Sequence, residues 1–346
     1  MRERDRSRIA GTWHGLLRYL RRHPILVLFL MTPGIPEYLS GSSSFVSLIV
    51  NPAWFFLALG INAAMYTVGA LVIREVVLLW NKGWPTVFAL GAAYSIMEEG
   101  IADQTLFNPS YSPLGPPGLY GRFLGINWLW APDVFVIHIL LSISLPLLLL
   151  GYALPETRGR RLLSDRGIWS GVVLLAGDTA FLTALVVTSQ HYWYGLLLLL
   201  VSVAGIVGLC ALGYFLPKYV LPVPKGPPTG SRLQFFLVGC VAYPLMALLA
   251  DVGSGRGFPP VLVFLAICGE VLLLAAWFLR HIGSEENERH LLAFTVGTLM
   301  ILFFLGVFLE FPFEIVVVAD LAAAYFLYSL DRSFREGASF GVPRPA

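Results

Sequence analysis

Apolar residues fill this chain in long runs, and its polar positions fall between the runs rather than along one face of each. Stretches such as "LLSISLPLLLLGYAL", "GLLLLLVSVAGIVGLCALGYFL" and "LLAFTVGTLMILFFLGVFL" approach the ~20 residues that cross a hydrocarbon core of about 30 Å. Helices of a soluble core would show polar positions at helical period, which these runs lack. The pattern predicts an all-α polytopic membrane helix bundle of about ten spans, at 24–40, 53–73, 85–104, 133–153, 168–189, 194–216, 233–250, 259–279, 291–309 and 314–330. In the first span "ILVLFLM" runs into Thr32-Pro33-Gly34-Ile35-Pro36. This helix is expected to kink, or to end early and continue near the surface as "IPEYLSGSSSF". The basic stretch before it is long and no small-x-small site follows, so it reads as part of the mature chain rather than a cleaved signal.

Composition points the same way. Of 346 residues, 57% are hydrophobic and 13% charged, where soluble domains carry about 25% charged residues. Lysine and arginine set the expected orientation. With the N-terminus inside, 21 of the 23 fall on the inner side, and only Arg122 and Arg256 fall outside. Cytoplasmic loops carry such an excess, so both termini are expected in the cytoplasm and the protein in the cell membrane. The chain reads as one integral membrane domain over 1–346, because no loop is long enough to bury a second core. Its parts are a basic cytoplasmic tail over 1–23, an extracellular Pro/Gly/aromatic loop over 105–132 and a cytoplasmic tail over 331–346. The lipid bilayer is the expected partner. "RERDRSR" reads as a topology anchor beside anionic lipid, and no nucleic acid is expected.

Cys210, Cys240 and Cys268 lie far apart in separate spans and read as small apolar residues, with neither a disulfide framework nor a thiolate zinc motif. Phosphate-binding loops, dinucleotide fingerprints, zinc-protease helices and nucleophile elbows are all lacking from the sequence.

Against this background "YSIMEEGIADQTLFNP" carries unusual charge. If the third span enters from the cytoplasm near Thr86, Glu98 lies about 18 Å up the helix and Glu99 about 20 Å. The fourth span descends from near Asp133, which puts His138 roughly 22 Å up a ~30 Å core. Two carboxylates and an imidazole thus share a depth on neighbouring antiparallel spans. An ionised side chain at the bilayer centre costs at least ~2.5–3.5 kcal/mol, so such residues are functional unless paired. Adjacent carboxylates repel, so that one holds a proton or both share a cation. Gly100 follows where the helix is expected to stop and leave free carbonyls. Asp103 is placed one turn beyond Glu99, and Ser142 one turn beyond His138. The set suits a proton, a cationic group or a divalent metal such as zinc, with Glu98, Glu99 and His138 as ligands. A structural polar knot that pins two helices together is the alternative reading of the same residues.

Asn62 and Tyr66 in the second span, Asp178 in the fifth, Glu270 in the eighth and Asp320 in the tenth are further polar positions at depth. Asn62, Asp178 and Glu270 are candidate binding residues along a polar path; taken singly, each equally fits a helix-to-helix hydrogen bond. Arg74 and Glu75 end the second span, where snorkelling accounts for them.

Glu98-Glu99 in one membrane helix, then His138 in the next with Ser142 four residues later, resembles the glutamate-glutamate-histidine core of intramembrane proteases. The resemblance is to the CAAX-prenyl-protease-like (CPBP) and PrsW-like superfamily, over about residues 86–146. In that family's E-E-x-x-x-R motif the arginine position is Asp103 here, in F-x-x-x-H the phenylalanine position is Val134, and in H-x-x-x-N the last position is Ser142. The resemblance implies a helical, membrane-embedded fold in which Glu98, Glu99 and His138 activate water, through a metal or directly, for peptide hydrolysis.

Three functions follow from these features. An intramembrane hydrolase would act on a membrane-embedded peptide or small molecule, with Glu98 or Glu99 as base or metal ligand and His138 as second ligand or acid. A proton- or cation-coupled transporter would use the same carboxylates and continue through Asp178 and Glu270. A non-catalytic binding or assembly protein would use the external loop alone.

Overall fold

Proline, serine and asparagine set where the helices begin. Pro24, Pro52, Pro85 and Pro260 each occupy a first turn, where the missing N–H is no loss. Asn51 caps the amide of Trp54 and Ser164 that of Gly167, and Ser231 with Gln234 forms a reciprocal capping box. The structure is a computed structural model that describes residues 19–111, 118–220, 224–309 and 314–336. Most of the basic tail, residues 1–18, lies outside the described residues, as do 112–117 of the external loop and 337–346 of the C-terminal tail.

In chain order the helices are α1 (Pro24–Tyr38), α2 (Pro52–Leu79), α3 (Trp84–Ser95, extended by Ile96–Ala102), α4 (Trp130–Ala153) and α5 (Asp165–Gln190). There follow α6 (Gly195–Phe215), α7 (Arg232–Gly255), α8 (Pro260–His281), α9 (Glu288–Leu309) and α10 (Glu314–Glu336). Among the described residues seven helices, α2 and α4 to α9, are long and apolar enough to cross a membrane. The other three expected spans are helical but fall short of that measure. Helix α1 is short, α3 carries the paired glutamates near its end, and α10 carries Asp320, Asp331, Arg332 and Arg335. Helix α10 runs on to Glu336, six residues into the segment 331–346.

Burial divides the bundle into centre and periphery. The most apolar window is 56% buried inside the protein for α4 and 44% for α2, against 6% for α6 and 11% for α5. Leu28 of α1, Met65 of α2, Ile143 and Leu149 of α4, Leu299 of α9 and Leu330 of α10 form the core. Helix α3 is buried along nearly its whole length. The stretch from Pro33 packs inward at Ile35 and Tyr38, while residues 40–45 are half-buried or exposed.

Two close approaches use glycine. A Cβ on Gly91 would stand 3.3 Å from Ile139 Cα, so its absence lets α3 lie directly against α4. Gly239 and Gly297 likewise bring the backbones of α7 and α9 together. Between α3 and α4 the expected loop contains a small antiparallel hairpin, Arg122–Phe123 with Ile126–Asn127. It is fastened to α3's end, since the Asn127 amide donates to Leu106 O at 2.9 Å and Arg122 donates to Phe107 O.

The pair at the end of α2 does not snorkel. Glu75 is fully buried and accepts the amides of Leu162 at 2.9 Å and Leu163 at 3.1 Å. Arg74 donates to Glu75 and to the carbonyls of Thr157 at 2.5 Å and Arg160 at 2.8 Å. The Arg74 guanidinium satisfies one carboxylate oxygen and two backbone amides the other.

Candidate functional site

Four π-helical turns converge at the centre: Gly34–Tyr38 in α1, Ala63–Thr67 in α2, Ile96–Ala102 after α3 and His138–Ser144 in α4. Such turns widen a helix locally and are frequent at functional sites. Each delivers polar side chains: Glu37, Tyr66, Glu98 with Glu99, and His138 with Ser142.

The expected neighbours meet. His138 Nε2 lies 2.9 Å from Glu99 Oε1. On the other side of the ring, Nδ1 lies 3.1 Å from Ser142 Oγ and 3.2 Å from Glu98 Oε2. Of these two, the serine has hydrogen-bond geometry, whereas Glu98 Oε2 makes no hydrogen bond. His138, Glu98 and Ser142 are buried, while the Glu99 side chain keeps 14% of its exposure. A carboxylate can only accept, so a ring facing acidic oxygens on both sides is satisfied when it carries both N–H protons or when one carboxyl is itself protonated. The trio therefore shares protons among three groups in direct contact.

Further residues fix this trio. Thr105 Oγ1 donates to Glu99 Oε2 and accepts from Trp130 Nε1 at 2.9 Å. The Tyr66 ring stacks 6.4 Å from the imidazole and the Tyr94 ring lies 5.8 Å away. Tyr66 donates to Glu37 Oε1 at 2.6 Å, Ser43 donates to Glu37 Oε2 at 2.7 Å, and Asn62 donates to Ser43 at 3.0 Å. Asn62 thus reaches the site through two intermediates.

Helix α3 does not stop at Gly100. It widens, so that the Asp103 amide donates to Glu98 O at 2.8 Å and the Leu106 amide to Glu99 O at 3.2 Å. The carbonyls expected to be free are taken, and Asp103 closes the wide turn half-buried. Gln104 follows with φ 61, fully buried, and with both amide atoms unpartnered. That conformation is uncommon outside glycine, and local strain of this kind gathers at functional sites.

Asp178 and Glu270 stand apart. Asp178 Oδ2 on α5 and both carboxylate oxygens of Glu270 on α8 are buried without a hydrogen-bond partner. Among the described residues no group of three His, Cys, Asp or Glu is arranged to hold a metal ion. Glu98, Glu99 and His138 come together, but the two ring nitrogens face opposite partners and the donors do not converge on one point.

Glu37, Tyr94, Gln104 and Thr105 are absent from the sequence-derived set. Glu37 follows Pro33, Gly34 and Pro36, which read as an exit from the apolar segment and so masked it. Tyr94 and Thr105 carry no signal, because uncharged polar residues are ordinary in membrane helices and loops.

The fold is that of an α-helical membrane protein, and its polar centre is a buried acid–imidazole cluster. Compared with protein-family models, curated proteins and solved structures, the chain has no match in any of the three.

Proposed function

We propose that this protein is an intramembrane hydrolase of protease-like type, with Glu99 as the base that activates water. The observation that carries the reading is the 2.9 Å contact between Glu99 Oε1 and His138 Nε2 on neighbouring helices. Glu99 is the member of the trio that retains exposure, so it is the one water reaches. In the reaction a water gives a proton to the Glu99 carboxylate as its oxygen adds to the carbonyl carbon. When the carbon–nitrogen bond breaks, the leaving nitrogen takes a proton from the Glu99–His138 pair. The products are a carboxylic acid and an amine, and the pair regains its starting protonation. Ser142 and Glu98 hold the far side of the ring in orientation, and the Tyr66 and Tyr94 rings shield it.

The resemblance to CPBP and PrsW-like proteases over 86–146 belongs to this reading. So does a topology of ten crossings with both termini cytoplasmic, which sets the cluster in the outer half of the cell membrane and offers it a membrane-embedded peptide. A proton- or cation-coupled carrier would use the same carboxylates but needs a continuation through Asp178 and Glu270. Among the described residues Asp178 Oδ2 and both Glu270 oxygens make no hydrogen bond, which favours hydrolysis.

The test uses the full chain in liposomes with quenched-fluorescent apolar peptides. Wild type is expected to cleave, Glu99→Gln to lose about 100-fold or more, and Glu270→Gln to keep the wild-type rate. No cleavage by wild type, or equal turnover in Glu99→Gln, overturns the reading.

A further inference from the structure

At the opposite end of α3 from Glu98, a cleft of about 150 Å³ opens between α2, α3 and α4. Leu78, Val87, Leu147 and Leu150 line it, Trp84 joins them, and Arg74 and Arg158 lie in the same wall. The connection above it is tied to α2. Glu75 and Arg74 clamp residues 157–163 onto α2 through the amides and carbonyls described above. That clamp leaves Arg158 and Gly159, which line the cleft, and Arg160, which follows them in the chain, exposed. Gly159, at φ 70, has open space around it.

Arg158 has charge to offer. Its Nε donates to Gly151 O at 2.7 Å, which orients the guanidinium. Its acidic neighbour, Glu288, is 3.7 Å away, and the two side chains are 46% and 42% exposed, a pairing that contributes little. Arg160, Arg161 and Arg166 share the connection with Glu156 and Asp165, and Asp165 is bonded to Arg161 at 2.6 Å.

The geometry points to a binding site for an anionic phospholipid, with the headgroup phosphate on Arg158 beside Arg160 and part of one acyl chain between Leu78, Val87, Leu147 and Leu150. A cation at the mouth of an apolar cleft matches an amphiphile charged at one end, and basic pockets between membrane helices take anionic headgroups. Trp84, 43% exposed, suits the headgroup level. The volume, about five times a water's share of the liquid, admits a length of chain and excludes a folded partner.

Native mass spectrometry of the full chain in detergent tests the site. Phosphatidylglycerol and phosphatidylcholine of identical acyl chains are titrated separately, with inorganic phosphate as a third arm. Wild type is expected to retain one phosphatidylglycerol about fivefold better than phosphatidylcholine, the ratio one arginine near an anionic surface is worth. Arg158→Gln is expected to bring that ratio near one. Leu147→Trp fills the cleft and leaves every arginine in place, and it is expected to lose bound phosphatidylglycerol. Equal retention of both lipids by wild type overturns the site, as does an unchanged preference in Arg158→Gln or unchanged retention in Leu147→Trp. Inorganic phosphate binding as well as the lipid would also overturn it. Lipid retention is read without peptide cleavage, so the outcome is independent of the hydrolase reading.

Discussion

Tyr66 donates its hydroxyl to Glu37 Oε1 across 2.6 Å, which joins the end of the first apolar helix to the wall of the imidazole site. Tyr66→Phe keeps the ring that stacks on His138 and removes the hydroxyl that donates to Glu37. A buried carboxylate that loses a donor is expected to cost about 1–3 kcal/mol. The measurement is the unfolding midpoint of the purified protein in detergent. An unchanged midpoint would show that Glu37 is held by Ser43 alone.

His138 stands between two carboxylates that are adjacent in sequence. His138→Leu leaves Glu98 and Glu99 facing one another with no opposing charge, and should destabilise the fold strongly. Adding Glu98→Gln to the same chain removes the repulsion and should recover part of the loss. The coupling expected for residues in contact is about 0.5–3 kcal/mol. Strictly additive single effects in that double-mutant cycle would contradict the contact.

Gln104 is buried with neither amide atom hydrogen-bonded, beside the residues that hold Glu99. Gln104→Met keeps the volume and removes the unpaired groups, so stability should rise by about 1–3 kcal/mol. Peptide cleavage is expected to fall at the same time, because strained polar residues at such positions serve the site rather than the fold. A variant that is both less stable and fully active would be the contrary result.

Glu270 lies midway along α8 with both oxygens unpartnered. An acidic residue at mid-helix in a bilayer costs about 2.5–3.5 kcal/mol on insertion scales. Glu270→Leu should therefore raise the thermal midpoint and leave cleavage unchanged. A lower midpoint would reveal that the carboxyl is engaged in the membrane-bound protein.

The meeting of Glu98, Glu99 and His138 was legible in the sequence because a helix rises by a fixed amount per residue. Counting from the ends of two neighbouring runs converts position into depth, and equal depth on adjacent helices brings side chains within reach. The wide turns were not legible. They depend on how α1, α2, α3 and α4 pack, and nothing in "IMEEGIA" distinguishes a π-turn from a helix end at Gly100. Glu37 was hidden for a related reason: Pro33, Gly34 and Pro36 read as an exit to the surface, whereas packing draws that segment inward. Glu75 was misread because its partners are backbone amides 87 and 88 residues away, and a backbone donor leaves no mark in a side-chain pattern. Each expected span coincides with a helix, but α1, α3 and α10 show that helix and full apolar crossing are separate properties.

The wide turns make the site sensitive to spacing as well as chemistry. One residue corresponds to about 100° of rotation around a helix. Deleting a single apolar position inside one of these segments, Ile96 or Ile139 for example, would let the wide turn close to an ordinary α-turn and re-aim the side chains it carries, while every acid and the imidazole remained in the chain. In related sequences, a one-position gap there would signal loss of the arrangement more reliably than an exchanged side chain.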